Sequence, residues 1–193
     1  MKRTLVALAL LLTLVGVWGC GSKGSVGTTS TSVSVSALTS TPSPGAGSVQ
    51  IGRRTKTTGC KVNGPLPDSA CTPGAIFPNA TKEQVCTPGY SKSVRNVPAR
   101  VKNQVYAEYG ITSHKPGQYE VDHLISLELG GSNSIANLWP EAAEPRPGFH
   151  EKDKVENYLH AQVCDGTMSL QQAQQQIATN WLEVYKSMPG AQE

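Results

Sequence analysis

The hydrophobic positions change rhythm several times along the chain, and each rhythm predicts a different element. An unbroken apolar run from Leu5 to Val17 follows Lys2 and Arg3. It is too short to span a bilayer as a mature helix, and a basic start before a short apolar stretch has the form of a signal peptide over 1–19. Residues 21–50 show no useful period: they hold fourteen Ser or Thr and five Gly, with Lys23 as their one charge. Such a stretch buries too little apolar surface to offset its ordering entropy, so 20–58 reads as a flexible, disordered linker. The alternation Val33-Ser34-Val35-Ser36 is short and isolated and stays within that linker.

Regular patterning begins later. Val101, Val105 and Tyr109 recur at four-residue spacing, which predicts a helix with Pro98 in its first turn and its end at Gly110. From Gln118 to Leu129 the chain alternates. Tyr119, Val121, His123, Ile125 and Leu127 fall on one face, with Glu120, Asp122, Leu124, Ser126 and Glu128 on the other, which is a strand pattern. Gly130-Gly131 permits a sharp reversal, and Ile135 to Trp139 returns as a second strand. Pro140 to Phe149, with three prolines, reads as a loop. A helix follows from about His150 to Val163, with Val155, Tyr158, Leu159 and Val163 as its apolar stripe, until Asp165-Gly166 breaks it. Ser169 and Gln172 match a capping box for a last helix reaching Ser187. That helix turns Leu170, Ala173, Ile177, Trp181, Val184 and Tyr185 inward. The predicted fold is a single α+β domain over 59–190, a length of about 130 residues that suits one modest core. Trp139 and Trp181 are expected in that core, His114 in a loop and His160 on a helix surface.

Residues 60–96 add cysteine, proline and glycine in place of periodicity, including CTPG at 71–74 and again at 86–89. Cys60, Cys71, Cys86 and Cys164 make an even count, which in an exported chain predicts two disulfides among three connectivities bracing a loop-rich N-terminal region. No CxxC spacing occurs, which argues against a zinc knuckle. The formal charge is +3, and Lys2 and Arg3 supply two of those units, so net charge says little about partners. Local charge says more. Lys92, Arg95, Arg100 and Lys102 lie in a stretch with no acid, and Arg95, Arg100 and Lys102 are the candidate phosphate contacts.

The chemistry concentrates in YEVDHLISLELGGSNSIANLWPE, Tyr119 to Glu141. A neutral imidazole can take a proton from water near neutral pH, and an aspartate beside it can hold a hard cation. On an ideal strand Asp122 and His123 point to opposite faces, so a bend or bulge is expected at 121–124 if both serve one phosphate.

Asp122-His123, Gly130-Gly131, Asn137-Leu138 and His150, in hairpin-then-helix order, resemble the HNH endonuclease family, whose fold is the ββα-metal or His-Me finger. CTPGYSKSVR, VDHLISLELGG, NLWPE and KDKVENYLHAQVC extend the likeness to secreted bacterial relatives over most of 64–185. The resemblance implies a small ββα-metal core with additional helices. It implies that His123 is the general base and that Asn137 ties the hairpin loop. Asp122 and His150 would hold a divalent ion, with Asp153 and Asn157 as substitutes for His150 on a similar helix face. Mg²⁺ or Mn²⁺ suits the oxygen ligand, and an imidazole ligand favours Mn²⁺, Ni²⁺ or Zn²⁺. The expected activity is metal-dependent, largely sequence-nonspecific phosphodiester hydrolysis, of DNA ahead of RNA, outside the cytoplasm. The other reading is a noncatalytic envelope lipoprotein that binds a polyanion or a protein partner through the same scaffold. Cys20 after Val17-Trp18-Gly19 resembles the lipid-attachment box of bacterial lipoproteins, which implies an envelope protein anchored through Cys20, or a secreted one. No protein partner is inferred.

Overall fold

The computed structural model describes residues 51–191. The expected signal peptide, Cys20 and most of the expected linker lie outside the described residues. Packing starts earlier than residue 59, which corrects the linker boundary. Arg54 donates from Nε to the Cys71 carbonyl at 2.7 Å and forms an ion pair with the buried Glu108. Thr55 N donates to the Ala70 carbonyl at 2.9 Å, and Lys56 pairs with Asp68 at 2.9 Å.

The architecture is α+β. In chain order come α1 (Lys82–Val85), α2 (Tyr90–Val94), α3 (Ala99–Glu108), β1 (Tyr119–His123), β2 (Leu138–Ala142), α4 (Phe149–Asp165) and α5 (Leu170–Ser187). Short 3-10 turns at Leu127–Leu129 and Ile135–Asn137 fill the connection between the strands. Thr81 and Ser169 cap α1 and α5 through reciprocal capping boxes, and Gly166 ends α4 in the left-handed region that an L side chain avoids. No helix among the described residues is long and apolar enough to cross a membrane.

β1 and β2 pair antiparallel in continuous register, from Tyr119 opposite Ala142 to His123 opposite Leu138. Directly opposed residues share a face. One face therefore carries Val121, His123 and Leu138, and Val121 and Leu138 pack with Val105 of α3. The other carries Glu120, Asp122, Trp139 and Glu141. Trp139 joins Val155, Leu159 and Val163 of α4 and Ala173, Ile177 and Trp181 of α5 in the main core.

The expected strand to Leu129 stops at His123. After it Leu124, Ile125, Leu127 and Leu129 are all buried, so the apparent alternation is lost. The cause is Asn137, whose side chain takes both backbone groups of Ile125 and turns the chain into a loop. The strand is regular through His123, so the bulge expected at 121–124 is absent and Asp122 and His123 keep opposite faces. β2 also extends through Pro140 to Ala142, which shortens the proline loop to 143–148.

Two disulfides select one connectivity, Cys60–Cys71 and Cys86–Cys164. The second closes a 78-residue separation between the end of α1 and α4, worth about 4 kcal/mol on the chain-entropy account.

Candidate functional site

Asn137 organises the loop that presents the site. It is fully buried, and its amide makes four bonds. Oδ1 accepts from Ile125 N at 2.9 Å and Ala75 N at 3.3 Å. Nδ2 donates to the carbonyls of Ile125 and Ser132, both at 2.9 Å. Gly131 is required in the same loop, because a Cβ there would collide with the Ile125 carbonyl.

His123 ends β1 with its ring 1% exposed. Its Nε2 faces Asn133 Oδ1 at 3.2 Å. The Asn133 amide is oriented by two backbone groups: Nδ2 donates to the Val94 carbonyl at 2.8 Å, and Oδ1 accepts from Asn96 N at 3.0 Å. An oxygen held that way can only accept, so His123 carries its proton on Nε2 and leaves the Nδ1 lone pair free. Burial, with the cations of Arg95 and Lys152, pushes its pKa down to about 4 despite Asp122 and the Asn133 bond, so the ring is neutral at neutral pH. Asn133 and the 94–96 segment together form a strap over the ring.

Asp122 looks the other way, onto α4. Lys152, fully buried, donates from Nζ to Asp122 Oδ2 at 2.7 Å, to the His123 carbonyl at 2.7 Å, and to Glu156 Oε1. Burial opposes ionisation of Asp122, but the Lys152 ammonium and hydrogen bonds outweigh it and hold the carboxyl below its usual range. Burial likewise disfavours the Lys152 cation, and Asp122, Glu156 and Glu141 overcome it, so the ammonium stays protonated. Glu156 accepts from Ser126 Oγ at 2.8 Å, and burial with the neighbouring acids pushes it up to about 7.

Glu141 is 1% exposed, and neither carboxyl oxygen meets a donor. Burial first, then Asp122 and Glu156, hold it well above the usual range against the pull of Lys152. At the rim lie the exposed Glu120 and Asp153, both raised by partial burial and by Asp122. Three carboxyls, Asp122, Glu156 and Glu141, thus surround a single buried ammonium, with Glu120 and Asp153 farther out at the rim.

Asp122 and His123 are chain neighbours that point to opposite faces of β1, and their partners differ from expectation. His150 is exposed in the first turn of α4, its ring 4.3 Å from that of Phe149, and no bond joins it to Asp122. The α4 residue that reaches Asp122 is Lys152. Asp153 stands nearer the role assigned to His150, since its charge is felt by Glu120 and it feels Asp122. Asn157 donates to the Asp153 carbonyl at 2.7 Å and is exposed. Lys92, Arg95, Arg100 and Lys102 are exposed. Ion pairs among the described residues use other cations. Arg95 acts on His123, Glu120 and Asp153, so it borders the site.

Lys152, Glu156, Glu141 and Asn133 escaped the sequence reading. One signal was present. Lys152 and Val155 are three apart and Lys152 and Glu156 four, so a lysine and a glutamate occupy the inward stripe of α4, where a charge needs a partner. His160, expected at the surface, is half-buried, with Nε2 at 3.0 Å from the Val85 carbonyl and 3.4 Å from Cys164 Sγ.

For a hard divalent ion the donor chemistry fits: carboxylate oxygens predominate, and Glu141 is orphaned. The oxygens are not drawn together, however. The one group of three ligand atoms within 4.8 Å of one another among the described residues is Cys86, His160 and Cys164, and a disulfide ties both of its sulfurs.

No family model, curated protein or solved structure matches the chain. The residues themselves carry the functional reading.

Proposed function

We propose that the chain is an HNH-type phosphodiester hydrolase acting on nucleic acid outside the cytoplasm, with β1, β2 and α4 as its ββα core. The observation that supports this is the excess of carboxyl groups beside Asp122-His123: buried Lys152 pairs with Asp122 and Glu156, and a third buried acid, Glu141, has no donor. Two disulfides are compatible with an extracellular or envelope setting, and attachment through Cys20 would tether the domain there.

Asp122 would hold the ion, with Asp153 and Glu120 beside it at the open rim. Such an ion stabilises charge developing on phosphate oxygens. Asn133 keeps the proton on His123 Nε2, so Nδ1 would be the atom that takes a proton from water, on the strand face opposite Asp122. Arg95, Arg100 and Lys102 bind the phosphate backbone without reading bases.

Two observations favour the second reading, a polyanion-binding protein without hydrolysis. His123 is covered by the Asn133 strap, and the Asp122 carboxylate is already bonded to an ammonium. Nicking of supercoiled DNA with Mg²⁺, Mn²⁺ or EDTA separates the two. Metal-dependent cutting that His123→Ala abolishes supports the hydrolase. Binding without cutting under every metal supports the binding protein.

A further inference from the structure

Three rings gather at the surface between α3 and β1. Tyr106 of α3 and His114 of the following loop lie 4.5 Å apart between centroids, tilted by 36°. Tyr119, which opens β1, meets His114 edge-on at 6.2 Å and 90°. Tilted and edge-to-face contacts of this kind suit the quadrupoles of aromatic rings. Tyr106 also packs against Val105, Val121 and Leu138, so the first ring is anchored in the protein. His114 is exposed, and its Nδ1 lies 3.3 Å from the carbonyl of its neighbour Lys115. A ring held in this way has little rotamer freedom left to lose on binding. Beside the rings, α3 and the loop after it bound an open cleft of about 540 Å³, a size within the range of ligand sites. Tyr106 and His114 line the cleft, and Asn103, Thr112 and Ser113 bring hydrogen-bonding side chains to its walls. Lys102 and Lys115, the chain neighbours of Asn103 and His114, are exposed and join no ion pair among the described residues. The cleft borders the acidic rim. Partial burial, and then the charge of Glu120, raises the Tyr106 phenol. Glu120 is raised by its own burial, then by Asp122 and Asp153, and is pulled the other way by Arg95 and Lys102.

We infer that His114, stacked on Tyr106, and the cleft beside them receive an unpaired nucleobase, which directs the chain to single-stranded nucleic acid. Such a base is recognised by a ring to stack on, by polar groups at its edge and by cations for the flanking phosphates. The cleft offers all three: His114 with Tyr106, then Asn103, Thr112 and Ser113, then Lys102 and Lys115. Stacking is tolerant of sequence, because every base has a π face. A base inside a duplex has both faces covered by its neighbours and gains nothing from the ring. Arg95 and Lys102 act on Glu120 as well, so a strand held here runs toward the rim beside Asp122. The inference takes its class of partner from the hydrolase reading, and its test uses binding without cleavage.

The test measures fluorescence anisotropy in EDTA with the chain produced with its disulfides formed. Three probes are compared: a short single strand, its duplex, and a strand of equal length whose nucleotides lack bases. The wild type should bind the complete single strand roughly fivefold to a hundredfold more tightly than the abasic one, the range of one base stack. His114→Ala should lose that advantage and bind duplex and abasic strand as the wild type does. His114→Phe keeps a ring without its nitrogens and should restore most of the single-strand affinity. A 2-aminopurine base in the strand should be quenched by wild type and His114→Phe but not by His114→Ala. Equal affinity of the wild type for complete and abasic strands overturns the inference. Unchanged single-strand binding in His114→Ala overturns it too, as does a loss that His114→Phe fails to recover. His114 is exposed, so both variants should melt with the wild type; should either melt lower, the wild-type comparison of complete and abasic strands decides alone. Metal-dependent nicking without any preference for the complete strand would remove the base cleft and leave the hydrolase standing. Base-dependent binding without nicking under every metal would do the reverse.

Discussion

Lys152 Nζ lies 2.7 Å from Asp122 Oδ2, across a sequence separation of 30, and the lysine has no exposure. The pair fastens α4 to the end of β1 and decides what Asp122 is free to do. Removing one partner of a buried pair leaves the other charge uncompensated, so Asp122→Ala should destabilise the domain by about 3–5 kcal/mol. The double variant Asp122→Leu with Lys152→Met should cost clearly less than the sum of its single changes. Urea unfolding of the four proteins measures the coupling; additive losses would show that the two groups do not support each other.

Nuclease activity should depend on His123 alone among the histidines. Removal of a general base lowers rate by roughly 10²–10⁴-fold, so His123→Ala should lose that much metal-dependent nicking. His150→Ala should keep most of it, because His150 stands exposed against Phe149. Near-ultraviolet dichroism checks that both variants remain folded. A large loss in His150→Ala with His123→Ala unaffected would reverse the assignment.

The buried ring also predicts a pH dependence. The folded His123 holds off protonation until about 4, whereas the unfolded side chain takes a proton near its ordinary value of 6.5. Its contribution is therefore fully present above about pH 6.5 and is lost as pH falls through that window, by on the order of 3 kcal/mol. Glu156 works in the opposite sense. Raised to about 7, it favours the folded state most at low pH and loses that advantage between its ordinary 4.5 and about 7. Stability measured against pH in His123→Gln should fall less steeply below 6.5 than in wild type, and Glu156→Gln should remove the opposing slope.

Asn137 satisfies two donors and two acceptors inside the protein. Net hydrogen bonds are worth about 1 kcal/mol each, and abandoned buried partners cost about 1–3 kcal/mol, so Asn137→Ala should lose at least about 4 kcal/mol. Calorimetry measures it. Asn137→Asp tests the same geometry more narrowly: a carboxylate cannot donate to the carbonyls of Ile125 and Ser132, and it too should be strongly destabilising.

Arg95, Arg100 and Lys102 should act on nucleic-acid affinity through charge. Each change to Gln should weaken binding about equally for unrelated sequences and reduce the slope of log affinity against log salt by about 1. Fluorescence anisotropy at several salt concentrations reads both. A sequence-dependent loss, or no change in slope, would remove these residues from the phosphate interface.

The long helices were legible from the amino acids because their signals are local. Ser169 caps α5, Gly166 ends α4, and the stripe through Val155, Leu159 and Val163 repeats at helical spacing. The alternation around Asp122 and His123 was equally local, and it put the two side chains on opposite faces, as found. The even cysteine count implied two bridges without pairing them.

Tertiary structure settled the remainder, and in each case the reason is a contact between distant residues. β1 ends at His123 because the Asn137 amide, 12 positions away, bonds both backbone groups of Ile125. Cys86 pairs with Cys164 because α1 lies against α4. His123 is neutral and covered because residues 94–96 reach it through Asn133. Asp122 answers to Lys152, and Glu141 has no donor, because α4 crosses the one sheet face that gathers the acids. Periodicity along a chain reports which side of an element a residue takes. It carries no information about which charge another element will bring to that side, and that charge determines the chemistry of Asp122.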